Sequence, residues 1–299
     1  MGRGERRSAD ESAWTRRTVI QAGGLAAAAW VLPLKSFAAA AGARIPIAVQ
    51  LYSVRGDCAK DFDAALEHVA QMGFSGVEFA GYYGYADKAK ELQQRLDALN
   101  LKAAGTHIDM KLIRNASIKS TIEFHQTIGC KFLVVPMEGS FTDPEKSKLL
   151  AEEFNKAAEM LKPLGMACGY HNHTGEFKKD GDKTFWELFA ERTTKDVILQ
   201  LDCGWSATAG ADPVTLIRKY PGRTRTVHFK PAVVGEEKER TAILGQDSVD
   251  WGAVYNACRT VGGTEWVVIE QEQYPDGKPA MECTGQSLAG LNKIIAGLR

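Results

Sequence analysis

The chain has 299 residues, 44% of them apolar and 25% charged, with 37 basic side chains against 37 acidic ones. That describes an ordinary globular protein with room for one large core and no need of a second domain. Neither the whole chain nor residues 44–299, where 31 basic residues meet 34 acidic ones, has the positive excess of a general DNA or anionic-membrane binder.

Residues 1–43 form a separate segment. Arg16-Arg17 precedes an Ala/Gly/Leu-rich run to Leu34, which small residues follow. This is the pattern of a twin-arginine export signal, and the run is short for a membrane span. The segment is expected to be cleaved, leaving a periplasmic protein of residues 44–299 with no stable membrane association. The six cysteines contain no C-x-x-C pair and are expected to be buried free thiols.

From residue 45 onward, β-rich runs alternate with amphipathic stretches. Strands are predicted at 45–51, 74–79, 101–106, 131–135, 166–170, 197–201, 224–229 and 266–269. The intervening helices are predicted at about 61–71, 87–99, 117–128, 144–161, 184–192, a short one opened by Asp212-Pro213, 251–261 and 285–298. In the first of these, Phe62, Ala65, Leu66 and Val69 keep the i, i+3, i+4, i+7 spacing of a buried face, and Gly73 closes it. Pro144 is expected in the first turn of the fourth helix. Eight strand–helix units predict a single (β/α)8 TIM barrel. No G-x-G-x-x-G follows the first strand, so a dinucleotide site has no support. The loops after strands two, five, seven and eight are longest and are expected to carry substrate contacts.

Four polar clusters close apolar strands: Tyr170-His171-Asn172-His173, Leu201-Asp202-Cys203-Gly204-Trp205, Val227-His228-Phe229-Lys230 and Ile269-Glu270-Gln271-Glu272. In a parallel barrel the C-terminal strand ends share one rim, so these residues converge there. Imidazoles with carboxylates make a ligand set for a divalent metal ion, and the expected ligands are His171, Asp202, His228 and Glu270. Only one of His171 and His173 is expected to face the barrel axis. His171 is taken as the ligand and His173 as a substrate or proton-handling group. A carboxylate at the end of an apolar strand is expensive unless paired; for Asp202 the alternatives are a helix cap or a bond to Arg225. Glu270, His107, His173 and Lys230 are the catalytic candidates. Lys230 fits pairing with an anionic intermediate better than imine chemistry. Gln50, Tyr52, Arg55, Glu78, Glu138 and Trp205 are expected to form a polar rim that binds sugar hydroxyls. Trp205 and Phe79 are placed near the mouth, whereas His68 and His125 fall on helices as structural residues.

The pattern resembles the xylose isomerase-like TIM barrel superfamily, which contains sugar (phosphate) isomerases and epimerases, inosose dehydratase and endonuclease IV. The resemblance covers residues 45–299. Its most specific part is the run from Asp202 to Asp212, and His107, His228 and Glu270 match family positions on strands three, seven and eight. Gln50-Leu51-Tyr52-Ser53-Val54-Arg55 is similar to the opening of an exported, sugar-acting branch. The resemblance implies one divalent ion, Mn2+ ahead of Zn2+, Co2+, Fe2+ or Mg2+, and a small sugar or keto-sugar substrate. It implies isomerisation or epimerisation through an enediolate, with a lyase or dehydratase as the alternative. His171 stands where the family usually has a glutamate, which strengthens the lyase alternative. Trp205 stands where endonuclease IV has a further histidine, which with the acidic charge argues against a phosphodiesterase or nucleic-acid partner. A periplasmic sugar-binding protein without turnover is the remaining rival, and homo-oligomer formation is compatible with all of these readings.

Overall fold

In the computed structural model, which describes residues 44–114 and 117–298, eight short parallel strands close into one barrel. They are β1 (Ile47–Gln50), β2 (Gly76–Phe79), β3 (Lys102–His107), β4 (Phe132–Val135), β5 (Ala167–His171), β6 (Ile198–Asp202), β7 (Thr226–Phe229) and β8 (Trp266–Ile269). Each pairs with its neighbour in sequence, and β8 closes the ring on β1. The expected export signal, residues 1–43, lies outside the described residues. No helix among those residues is long and apolar enough to cross a membrane.

The helices α1 (Arg55–Lys60), α2 (Phe62–Gln71), α3 (Ala89–Ala98), α4 (Ser117–Thr127), α5 (Lys146–Leu161), α6 (Phe185–Arg192), α7 (Cys203–Thr208), α8 (Pro213–Lys219), α9 (Trp251–Ala257) and α10 (Ala280–Gly297) cover the strands. In α2, Phe62, Ala65, Leu66 and Val69 are the buried positions, and Asp61 caps the helix by accepting from Ala64 N at 3.0 Å. Thr184 and Glu187 form a reciprocal capping box at α6.

Period-two alternation sorts each strand. Val49, Val77, Leu133, Tyr170, Leu199, Val227 and Ile269 join the large core beneath the helices. The opposite parity fills the barrel interior: Phe132, Ala167 and Ile198 in one group, Ala48, Ala104 and Val268 in another. Continued toward the C-terminal strand ends, the inward parity reaches Gln50, Glu78, His171, Gln200, Asp202, His228 and Glu270. Thus the apolar interior gives way to a polar upper layer.

Some boundaries differ from those predicted. β3, β5 and β6 each run one residue further, taking in His107, His171 and Asp202, because those residues still lie within the ladder. Pro144 lies in a turn before α5 rather than in its first turn, and Asp143 accepts there from Glu145 N and Lys146 N. Helix α10 begins at Ala280, five residues before the predicted start, so Gly285 lies inside it, where a Cβ would stand 3.1 Å from Met72 Sδ. The helices α1 and α7 and a small hairpin pairing Lys179–Asp180 with Lys183–Thr184 were not predicted. All six cysteines are free and buried, as expected.

Candidate metal centre

Four side chains from four consecutive strand ends meet inside the barrel mouth. His171, Asp202, His228 and Glu270 are all buried, and each offers one ligand atom within 4.8 Å of the others. Strand pairing sets Asp202 directly beside His228, so their inward side chains share a level. His171 Nε2 lies 3.9 Å from Asp202 Oδ2, and His228 Nδ1 lies 4.0 Å from the same oxygen and 3.0 Å from Glu270 Oε2.

Asp202 divides its two oxygens. Oδ1 accepts from Trp205 N at 2.7 Å and caps α7, while Oδ2 is buried without a hydrogen-bond partner. The cap reading and the ligand reading therefore fit the same carboxylate, while Arg225 is paired with Glu265 at 2.6 Å. A fully buried oxygen left unmatched is costly unless a cation faces it. Asn172 holds the strand end, its Oδ1 accepting from Asp202 N at 2.9 Å and its Nδ2 donating to Asp202 O at 3.2 Å.

A second layer, formed by Gln50, Glu78 and Gln200, lies below. Gln200 Oε1 is 3.0 Å from His171 Nδ1 and 2.8 Å from His107 Nε2, and Gln200 Nε2 donates to Glu78 Oε1 at 2.7 Å and to Thr226 Oγ1 at 2.7 Å. Glu78 Oε2 accepts from Gln50 Nε2 at 2.8 Å and bonds His228 Nε2 at 2.5 Å. His171 Nε2 and His228 Nδ1 are thereby left facing the Asp202 carboxylate. A register irregularity between β2 and β3 makes room for this layer. A Cβ at Gly105 would stand 2.7 Å from Glu78 Oε1, so a larger residue there would have to push that carboxylate away from its partners.

The electrostatics follow from burial among opposing charges. Burial pushes the Asp202 carboxyl up to about 7 despite the pull of Lys230. Burial also opposes charge on Glu270, but Lys230 and His228 beside it hold that carboxyl well below the usual range. For His228, burial is outweighed by Glu78 and Glu270, which raise the imidazole to about 10. His171 is pushed well down by burial and by the neighbouring His228, so its lone pair is available. The net result is a cavity that holds a positive charge between carboxylates, the charge a metal ion would replace. Two imidazoles and two carboxylates suit Mn2+, Zn2+, Fe2+ or Co2+. The residues present fit such an ion.

Lys230 Nζ is 3.6 Å from Glu270 Oε2, forms an ion pair with Glu272 and lies 4.8 Å from the Trp205 ring centroid. Burial lowers its pKa less than Glu270, Asp202 and Glu272 raise it, so it stays an ammonium rather than an imine-forming amine. His107 stacks on His228 with ring centroids 5.2 Å apart. His173 lies outside the cluster, its ring centroid 5.8 Å from that of Trp205. In a pleated strand residues two apart share a face, so pleating does not separate His171 from His173. The strand ends at His171, so His173 lies beyond the ladder that fixes the inward face.

Three placements differ from the expected rim. Gln50 and Glu78 have no exposed surface and are engaged inside the barrel, because they share the inward parity. Phe79 is also fully buried; its outward parity sends it into the helix-facing core, 5.0 Å from the Tyr82 ring. Tyr52, with Arg55 stacked 4.3 Å over its ring, Glu138 and Trp205 do lie at the surface of the mouth. Arg55 also donates to the Tyr274 hydroxyl at 3.2 Å, and Glu138 accepts from Ser140 Oγ at 2.8 Å. His68 is exposed on α2, while His125 is buried with its Nδ1 against Thr121 O. Sequence reasoning missed Gln200, although its inward parity two residues before Asp202 was the available signal.

A family model described as "Xylose isomerase-like TIM barrel" matches residues 66–294. The chain is 24% identical over 254 residues to an inosose dehydratase of Lacticaseibacillus casei, covering 72% of this chain and 83% of that one. It is 26% identical over 253 residues to an inosose dehydratase of Clostridium botulinum (strain Alaska E43 / Type E3), covering 72% and 83%. Among solved structures, a sugar phosphate isomerase/epimerase from Parabacteroides distasonis ATCC 8503 superposes with a TM-score of 0.68 at 25% identity, covering 84% of this chain and 98% of that one. An L-ribulose 3-epimerase shares the fold with a TM-score of 0.62 at 16% identity, covering 85% and 96%.

Proposed function

The chain belongs to the xylose isomerase-like TIM barrel family, and from that premise we propose that it is a divalent-metal-dependent lyase or dehydratase acting on a sugar or keto-sugar. The observation that carries this reading is the buried cluster of His171, Asp202, His228 and Glu270, with Asp202 Oδ2 unmatched at its centre. These four residues would hold the ion, Mn2+ foremost. When bound there, a divalent ion supplies Lewis acidity, polarising a substrate carbonyl and acidifying the adjacent C–H.

The remaining groups suit an elimination. Beside the two cluster carboxylates, Glu78 is bonded to Gln200 and His228, and Glu272 is paired with Lys230. Neither Glu78 nor Glu272 is therefore free to act as the opposed carboxylate of a two-carboxylate epimerisation. An elimination needs one base and one donor. His173, half-buried at the mouth, takes the C–H proton, and Lys230 donates to the oxygen that departs. His107, held between Gln200 and Glu78, supports the ring of His228 from below. The curated relatives named as inosose dehydratases support this direction. The likeness to a sugar phosphate isomerase/epimerase favours isomerisation or epimerisation as the second reading. We also propose that residues 1–43 direct twin-arginine export to the periplasm, where the mature protein would meet unphosphorylated sugars.

Metal analysis of the purified chain beside Asp202→Ala tests the centre. The expected result is about one transition metal per chain, lost in the variant; no metal after reconstitution overturns the reading. Keto-sugars incubated in D2O then separate the chemistries by NMR. Loss of water or alcohol marks a lyase, and deuterated isomers without elimination mark the second reading.

A further inference from the structure

A cavity of about 280 Å3 opens beside the cluster, and its walls come from the ends of the same three strands that carry Asp202, His228 and Glu270. After Asp202 the chain gives Trp205 and Thr208; after His228 it gives Lys230 and the loop to Ala242; after Glu270 it gives Glu272. Lys230 lies at the junction, lining the cavity while its Nζ sits 3.6 Å from Glu270 Oε2. This volume is just below the lower limit of small-molecule sites, roughly 300 Å3, and suits one ring.

The lining chemistry selects the occupant. Trp205, Pro231, Val233 and Ala242 supply an apolar and aromatic surface. Two of the three lining cations are already compensated: Lys230 pairs with Glu272, and Arg240 donates to Glu237 Oε2 at 3.0 Å and to Gln246 O at 2.9 Å, while Lys238 is exposed at the rim next to Glu239. A phosphate or carboxylate set against Lys230 or Arg240 would have to displace those partners, whereas an uncharged ring lying on Trp205 would not. Gly204 keeps the two walls together, since a Cβ there would stand 2.2 Å from Lys230 O.

Resting on the metalloenzyme reading above for the position of the reacting sugar, we propose that the cavity is a second subsite and that the substrate is a glycoside. Its reacting sugar lies at the cluster, and its second, uncharged ring lies against Trp205. The bridging oxygen then falls near Lys230. Thus a simple monosaccharide would fill only half of the site.

Calorimetric titration of the Mn2+-loaded protein tests this with D-glucose, D-galactose and D-xylose, the methyl and p-nitrophenyl glycosides of each, and glucose 6-phosphate. For at least one sugar the p-nitrophenyl glycoside is expected to bind about tenfold tighter than the methyl glycoside. That advantage should fall below about twofold in Trp205→Ala and in the cavity-filling Val233→Trp. No aryl advantage with any sugar overturns the proposal, as does an advantage that survives both substitutions. Tighter binding of glucose 6-phosphate than of every glycoside also overturns it, in favour of an anion site. Repeating the titration after chelation keeps the two readings apart. An aryl advantage in a protein that never binds metal would sink the metalloenzyme reading and leave the subsite standing.

Discussion

Gln200 Oε1 lies 3.0 Å from His171 Nδ1, so a buried amide fixes which nitrogen of that histidine faces the cluster. With Nδ1–H donating to Gln200, the Nε2 lone pair points toward Asp202 Oδ2. The same amide oxygen takes His107 Nε2 at 2.8 Å. Gln200→Leu keeps side-chain bulk while releasing both rings. It should weaken metal binding by about 10- to 100-fold, read as competition with a chromophoric chelator. Unchanged affinity in a folded variant would show that the amide does not set the ring.

Asp202 performs two tasks with its two oxygens, and two substitutions separate them. Asp202→Asn retains an oxygen that can accept from Trp205 N, whereas Asp202→Ala removes it. Both should lose the metal. In chelator-treated proteins the alanine variant should be less stable than the asparagine variant by about 1 kcal/mol, the usual cost of a lost N-cap. Equal melting temperatures would mean that the cap bond does not stabilise α7.

Much of the centre is legible in the sequence. His171, Asp202, His228 and Glu270 each end an apolar run, and a parallel barrel brings such ends together whatever their separation in sequence. The layer beneath them was harder to read. Gln50 and Glu78 resemble rim residues when only proximity to a strand end is considered, yet their parity points them inward to Gln200 and His228. The position of His107 depends on the register irregularity against β2, and no local pattern announces that. Helix α7 was missed because its residues, Cys203–Thr208, read as a motif and carry too little periodicity to signal a helix.

Away from the centre, Glu187 joins the capping box of α6 to Lys219. The bond from Lys219, followed by the one from Thr184 N, holds the carboxyl down to about 2. A depressed carboxyl stabilises the fold above its unfolded value of about 4.3 and loses that contribution as pH falls through the folded one. Glu187→Gln can still accept from Thr184 but cannot form the ion pair. The variant should be less stable at pH 7 by under about 1 kcal/mol, because Lys219 is half-exposed. The deficit should shrink between pH 4.5 and 2 in urea melts. A deficit constant across that range would rule out the carboxylate charge as its source.

Gly204 is the point where α7 meets the chain leaving β7, and the absence of a side chain sets their separation. A Cβ would stand 2.2 Å from Lys230 O and 3.0 Å from Lys230 Cβ, and a backbone oxygen cannot swing aside as a flexible side chain would. Gly204→Ala must therefore push the two segments apart, at a cost of about 1–3 kcal/mol. The displacement acts on Lys230, whose ammonium lies between Glu270 and Glu272 and above Trp205. Helix propensity acts the other way, since alanine is favoured over glycine inside a helix by about 1 kcal/mol. The steric term is the larger, so the variant should melt at a lower temperature and show weaker quenching of Trp205 fluorescence by the nearby ammonium. A higher melting temperature would mean that the loop after β7 yields freely and that Lys230 is not held by this contact.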